Sequence, residues 1–405
     1  MGSMGFERIL GGVCAPLGFL AAGVACGIKD DERPDLALVY SEFPAAVAGV
    51  FTTNEMKAAP VLLSRLRVAA GTARAIVVSS GNANAMTGPR GLSDALAMAT
   101  AVENALDAGE GQALVASTGP IGRHLPLDNV INGIEQAASE LSPGGNTDAA
   151  KAIITTDCYP KELAVEMEIG GGTVRLGGMV KGSGMIHPNM ATMISVITTD
   201  APLEHEVMQH WLEQAVEWSF NRISVDGDQS TNDTVLMLAN SAAFPEGYIM
   251  TREEAELYFS ALCWLTGHLA IALVKDGEGA SKLLRVVVNG ARDDADAVLV
   301  ARAIANSNLV KCALFGAQPN WGRIAAAAGS AGVPLEQDKV TIFLGEHRVA
   351  AEGGPVPHDE VELETQLMRD EAEITVDLGL GEGSAYFLTC DLTPDYVEFN
   401  AGEKS

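Results

Sequence analysis

Lys181-Gly-Ser-Gly-Met-Ile-His-Pro-Asn-Met-Ala-Thr-Met193 leads directly into the β-branched run Ile194-Ser-Val-Ile-Thr198 and is the densest cluster of potential chemistry in the chain. Gly182 and Gly184 let the backbone turn tightly or approach a ligand, and Pro188 stiffens the segment just before Ala191-Thr192. A hydroxyl residue at the mouth of a predicted strand, here Met193–Thr198, is a common place to display a nucleophile. On spacing alone an ordinary Gly-rich turn into a strand accounts for the same residues, because small Gly/Ser loops are common.

Outward from this segment, hydrophobic periodicity alternates between element types. Helical spacing covers Leu92–Ala108, Leu127–Leu141, Glu204–Trp218, Arg252–Leu265 and Ala295–Ala305. Strand-type runs cover Ala75–Ser79, Leu114–Ser117, Leu284–Val288, Val340–Leu344 and Ile374–Leu378, and Leu269–Val274 is also strand-like. Strands and helices in mixed order with short Gly-rich connections predict a layered α/β or α+β enzyme. Ser142–Asp148 and Gly353–Asp359 read as loops too short to require a domain boundary.

The chain has 405 residues, is 47% hydrophobic and 20% charged, and carries a formal net charge of −27. That composition is globular and argues against collective attraction to nucleic acid or an anionic membrane surface. An anionic substrate must then be met by a few local cations or backbone N–H groups. Six cysteines lie far apart, with neither a small disulfide framework nor a CxxC metal pattern, so a reduced cytoplasmic setting is expected. Ile9 to Ile28 is uncharged and superficially leader-like, but Pro16 and five glycines dilute any apolar helix.

Standard signatures are absent. No P-loop, dinucleotide fingerprint, GxSxG elbow or HExxH pattern occurs, and no metal is expected. Asp226-Gly-Asp228-Gln-Ser230-Thr231 begins like a calcium loop but lacks its later glycine and glutamate, so a turn role is expected for those aspartates. Ser117-Thr118-Gly119-Pro-Ile-Gly122 could aim backbone N–H groups at an anion. Thr155-Thr156-Asp157 and Asp276-Gly-Glu278-Gly-Ala-Ser281-Lys282 each follow an apolar stretch, and each alone reads as a turn. A chain rich in hydroxyl loops but lacking a histidine base beside a nucleophile suggests a threonine whose own α-amine is the base.

Here the sequence resembles a family, the ornithine acetyltransferases, also called glutamate N-acetyltransferases. The resemblance runs over the whole chain: GGVCAPLGFLAAGVACGIK (11–29), GVFTTN (49–54), SGNANAMTG (80–88), STGPIG (117–122), TTD (155–157), KGSGMIHPNMATM (181–193), DGDQSTNDT (226–234), DGEGASK (276–282), LVKCALFGAQPNWGRI (309–324) and CDLTPDYVEFNAGEKS (390–405). Gln318 and Asn308 depart from the family pattern at positions peripheral to the chemistry, and the ending NAGEKS is looser than usual.

The resemblance implies an α-β-β-α sandwich of the self-processing N-terminal-threonine type. It implies a precursor that cuts itself between Ala191 and Thr192, giving an alpha chain, 1–191, and a beta chain, 192–405, whose first residue is the nucleophile. It places the oxyanion on Thr118 and Gly119, and substrate contacts on Thr155, Lys181, Thr192, Glu278, Asn400 and Ser405. From charge, Lys181 suits a substrate carboxylate and Glu278 an ornithine ammonium. The implied reaction moves acetyl from N2-acetylornithine to glutamate through an acetyl-Thr192 intermediate, in arginine biosynthesis. No cofactor is expected, and acetyl-CoA stands open as a second acetyl donor. Two alpha and two beta chains are expected to associate, with no nucleic acid or membrane partner. The competing readings are a self-cleaving amidase or aminopeptidase that uses water as acceptor, an uncut binding protein, and a secreted or lipid-anchored protein.

Overall fold

The computed structural model describes residues 5–187, 193–245 and 247–402. The chain begins β1 (Phe6–Ile9), β2 (Phe19–Val24), β3 (Leu36–Phe51), α1 (Ala59–Val68), β4 (Thr72–Ser80), α2 (Gly88–Leu106) and β5 (Ala113–Thr118). It continues through α3 (Leu127–Glu140), α4 (Asn146–Ile153), β6 (Lys161–Ile169), β7 (Gly172–Lys181), β8 (Ile194–Thr199), α5 (His205–Glu217), β9 (Ile223–Ser224), β10 (Thr234–Ala239) and α6 (Arg252–Lys275). The remainder is β11 (Leu283–Ala291), α7 (Asp294–Ala305), α8 (Asn308–Phe315), α9 (Trp321–Gly329), β12 (Thr341–Leu344), β13 (His347–Ala351), β14 (Gly354–Pro355), α10 (Glu360–Leu367), β15 (Glu371–Asp377), β16 (Gly383–Cys390) and α11 (Pro394–Gly402).

Nine strands form one sheet in the order β1-β6-β7-β8-β10-β3-β4-β5, with β2 also paired to β3. The 16-residue β3 joins two arms of this sheet: it pairs β2 and β4 along its first part and β10 along its last, with a register shift between Tyr40 and Ala45. An irregularity of this kind bends a strand and lets the sheet fold over itself. The core records the result. Ile76, Val78 and Leu114 of β4 and β5 share one buried cluster with Val196, Leu236 and Leu238 of β8 and β10. The alternate residues turn the other way: Ala75, Val77 and Val115 pack under Met98 of α2 and Ile134 of α3, while Ile197, Val235 and Met237 meet Met208 of α5 and Leu265 of α6. The layers are therefore helix, strand, strand, helix, as expected. A second sheet of seven strands, β14-β13-β12-β15-β11-β16-β9, carries its own core beneath α7 to α10.

The structure corrects two readings: Asn146–Asp148, read as part of a loop, is the first turn of α4, and one strand-like run is helical. Leu269–Val274 is the last part of α6 and not a strand. Thr251 and Glu254 start that helix with a reciprocal capping box, and Tyr258, Leu262, Leu265, Leu269 and Leu273 keep three- and four-residue spacing to its end. The continuous apolar face outweighs the interruption at Gly267 and the β-branched Ile271 and Val274. This helix is long and apolar enough to cross a membrane, yet its buried face packs on β6 and β7 as part of the core. The uncharged N-terminal stretch contributes β2, paired with β3 from Phe19↔Ser41 to Val24↔Leu36. All six cysteines are free thiols.

The topology brings distant loops to one place. β7 runs antiparallel to β8, so Lys181 at the end of β7 pairs with Ile194 at the start of β8. β8 runs parallel to β10, which sets Thr234 beside the same Ile194.

Candidate active site

A cavity of about 600 Å³ opens where these ends meet, lined among others by Thr118, Gly119, Thr155, Lys181, Glu278 and Asn400. The structure thus gathers residues up to 282 positions apart in the chain that the motif resemblance assigned to one site. Thr192, Ala191 and Ser405 lie outside the described residues. Met193, which follows Thr192 in sequence, is held at the same strand mouth: its N–H donates to Asp233 Oδ1 at 3.1 Å and its carbonyl accepts from Thr234 N–H at 3.0 Å.

Lys181 is the buried cation of the cavity wall. Its Nζ donates to Thr155 Oγ1 at 2.8 Å and reaches Thr118 Oγ1 at 3.4 Å. An ammonium has no acceptor, so both threonine oxygens must accept from it, which leaves their own hydrogens free to donate. Burial pushes Lys181 below the ordinary amine range, and the carboxylate of Asp157 opposes that shift. Thr118 ends β5, and its carbonyl accepts from the Gly81 and Asn82 N–H groups at 2.8 and 3.0 Å. Gly119 follows with φ +136°, and a Cβ there would stand 2.4 Å from Asn82 N. Only glycine fits this backbone and this close approach. The Gly119 N–H has no hydrogen-bond partner among the described residues, so Thr118 O–H and Gly119 N–H are both free to donate at the cavity wall.

Opposite lies Glu278. Its Oε1 accepts from Thr156 Oγ1 at 2.8 Å and its Oε2 from Asn400 Nδ2 at 3.1 Å. Because Thr156 spends its single hydrogen on Glu278, the 2.6 Å contact between Thr156 Oγ1 and Ser183 Oγ is donated by Ser183. Glu278 N–H is anchored on the Ser183 carbonyl at 2.8 Å, and a Cβ on Gly184 would lie 2.3 Å from Glu278 Oε2. Gly184 is therefore required for the carboxylate to approach the 181–187 segment.

Asp226 performs the turn role expected of it, and does so for the same segment. Its carboxylate accepts from the N–H groups of Met185 at 2.6 Å, Ile186 at 2.9 Å and Asp228 at 3.1 Å. Asp233 is fully buried, and its Oδ2 has no hydrogen-bond partner among the described residues. Burial pushes its pKa well above the usual carboxylate range, against the Met193 N–H that favours the anion. Among the described residues no group of His, Cys, Asp and Glu is arranged to hold a metal ion.

Sequence reasoning did not single out Thr156, Ser183, Asp157, Lys161, Asp276 or Asp233 as site residues. Five of them, all but Lys161, sit inside quoted motifs, TTD, KGSG, DGEG and DGDQSTNDT, beside the residues that were singled out.

Residues 20–405 match the ArgJ family. The arginine biosynthesis bifunctional protein ArgJ of Symbiobacterium thermophilum is 47% identical over 401 residues, covering 98% of this chain and all of that protein. Among solved structures, the arginine biosynthesis bifunctional protein argJ of Bacillus halodurans is 39% identical and covers 51% of this chain and 98% of its own, with a TM-score of 0.49. The ornithine acetyltransferase of Mycobacterium tuberculosis, solved with ornithine, is 45% identical and covers 45% of this chain and 98% of its own, with a TM-score of 0.43.

Proposed function

The chain belongs to the ArgJ family, and on that premise we propose that it is a glutamate N-acetyltransferase which moves acetyl from N2-acetylornithine to glutamate through Thr192, after cutting itself between Ala191 and Thr192. The observation that carries the reading is the cluster of Lys181, Thr118 and Thr155 at the strand mouth where Met193 leads into β8.

In the self-cleavage, Thr192 Oγ attacks the Ala191 carbonyl, the Ala191–Thr192 amide bond breaks as its nitrogen takes a proton, and water hydrolyses the resulting ester. Thr192 is left with a free α-amine, whose ordinary pKa of about 7.7–8.0 suits a general base near neutral pH. Nucleophile and base then belong to one residue. In the transfer, Oγ attacks the acetyl carbonyl of N2-acetylornithine while the α-amine takes the Oγ proton and passes it to the departing ornithine nitrogen. The glutamate amine attacks the acetyl ester, the Cα-bound nitrogen loses its proton to the Thr192 amine, and Oγ is re-protonated. Each tetrahedral oxyanion meets Thr118 O–H and Gly119 N–H, a type of donor worth ~10²–10³ in rate when one is lost.

Lys181 is the partner for a substrate carboxylate and Glu278 for the ornithine side-chain ammonium, with Asn400 and Thr156 holding the Glu278 carboxylate in place. Thr155 and Ser405 complete the substrate contacts. The two products, 1–191 and 192–405, stay interleaved after cutting, because β7 pairs β8, β3 pairs β10, and α6 packs on β6 and β7. We assign two copies of each chain to the assembly and a cytoplasmic setting, following the family resemblance. The shared word "bifunctional" in the relatives' names supports acetyl-CoA as a second acetyl donor to glutamate. The chemistry calls for no metal or prosthetic group, since Thr192 itself carries the acetyl group.

The test is an assay of purified protein with N2-acetylornithine, with and without glutamate. Ornithine and N-acetylglutamate appearing together, only with glutamate present, is the expected result. Ornithine and free acetate released at equal rate without glutamate would instead identify an amidase.

A further inference from the structure

Three charged residues outside the roles above form a buried chain behind Lys181. Asp276, just past the end of α6, accepts from Lys161 Nζ at 2.5 Å through Oδ2 and from the Cys158 N–H at 3.1 Å. Lys161, the first residue of β6, also donates to Asp157 Oδ1 at 2.7 Å. Asp157 Oδ1 accepts from Gly182 N–H at 2.7 Å and its Oδ2 from Thr155 N–H at 3.1 Å, and Oδ2 lies 3.9 Å from Lys181 Nζ. The side chains of Asp157, Lys161, Asp276 and Lys181 are each at most 3% exposed.

Burying four charges is expensive, and apolar residues of similar volume would serve stability as well or better. Charge alternation makes the row neutral as a whole. One end is the substrate-facing Lys181, and the other is two residues from Glu278. Asp157 also grips the backbone on both sides of the ammonium, at Thr155 and at Gly182.

We propose that Asp157, clamped by Lys161 and Asp276, is the positioning residue that fixes Lys181 Nζ against Thr155 and Thr118 and keeps it an ammonium. This rests on the reading of Lys181 as the carboxylate partner. The groups that act electrostatically on Lys181 are Asp157, Glu278 and Asp233, which favour its charged form, and Lys161, which opposes it; Lys29 lies near enough to feel Lys181 in turn. Asp157 is the first of these and the one whose carboxylate lies in ion-pair range. Removing its charge leaves Lys181 to burial and to the Lys161 cation, both of which push the proton off.

The experiment measures the apparent pKa of Lys181 by competitive acetic anhydride labelling and peptide mass spectrometry, in the self-processed protein and in Asp157→Asn. The expected result is a fall of about one unit or more, within the range a close opposite charge commands, together with the same downward displacement of the alkaline limb of kcat/KM for N2-acetylornithine. A charge-balanced double variant, Lys161→Met with Asp276→Asn, keeps Asp157 and removes the opposing cation, so the Lys181 pKa should rise. Shifts of opposite sign are not produced by loosened packing. An unchanged Lys181 pKa in either folded variant overturns the proposal, and if Asp157→Asn does not fold, the double variant decides. Should the shifts occur while the wild type fails to turn over N2-acetylornithine, the positioning stands and the substrate reading falls.

Discussion

Met193 N–H donates to Asp233 Oδ1 at 3.1 Å, tying the second residue beyond the expected cleavage point to the residue that precedes β10. Asp233→Ala leaves that N–H without its acceptor inside the fold, which costs about 1–3 kcal/mol and is expected to slow self-cleavage. Asp233→Asn keeps an acceptor and removes the ionisation. The Asp233 pKa is raised on folding, so its carboxyl stabilises the fold most fully below the unfolded value of about 3.9, and that contribution is lost as pH climbs through the folded pKa. The Tm of Asp233→Asn relative to wild type should therefore increase between pH 4 and pH 8. A Tm difference independent of pH contradicts this.

Asp157 has the opposite sign. Burial raises its pKa, but Lys181, Lys161 and the Gly182 N–H outweigh burial and hold it down at about 2. Its contribution is complete above the unfolded value of about 3.9 and is lost as pH falls toward 2. Acid unfolding monitored by circular dichroism should show this loss in wild type and not in Asp157→Asn.

Gly119→Ala brings a Cβ to 2.4 Å from Asn82 N on a φ of +136° that side chains rarely adopt, so the turn must shift. Its expected signature is a kcat loss larger than that of Thr118→Ala, for which ~10²–10³ is typical of one oxyanion donor. Stopped assays on self-processed protein, with Tm measured alongside, separate lost chemistry from lost fold.

Lys181→Ala and Glu278→Ala are expected to raise KM for N2-acetylornithine, the first through the carboxylate and the second through the ammonium. N-acetyl-norvaline, which lacks that ammonium, should lose little further in Glu278→Ala and much in Lys181→Ala. Unchanged KM values for N2-acetylornithine in both variants remove these two assignments.

The family resemblance singled out Thr118, Gly119, Thr155, Lys181, Glu278 and Asn400, which the fold brings to one cavity, whereas local spacing alone read their motifs as turns. Lys161 and Asp276 were not legible: they meet across 115 positions, and no local spacing pairs them. Thr156 and Ser183 were hidden beside Thr155 and Gly182, since their value lies in which hydrogen points at Glu278. Periodicity located the long amphipathic helices well but ended α6 early, where β-branched residues interrupt an apolar face that the sheet nevertheless buries. It said nothing of β3, whose bend depends on partners from both arms of the sheet.

The most direct test of the account is the intact mass of the purified protein beside its Thr192→Ala variant. Two fragments corresponding to residues 1–191 and 192–405 in the wild type, with the variant remaining one chain, is the predicted result. A wild type that is folded, active in acetyl transfer and still a single uncut chain would contradict the claim that Thr192 acts through a free α-amine.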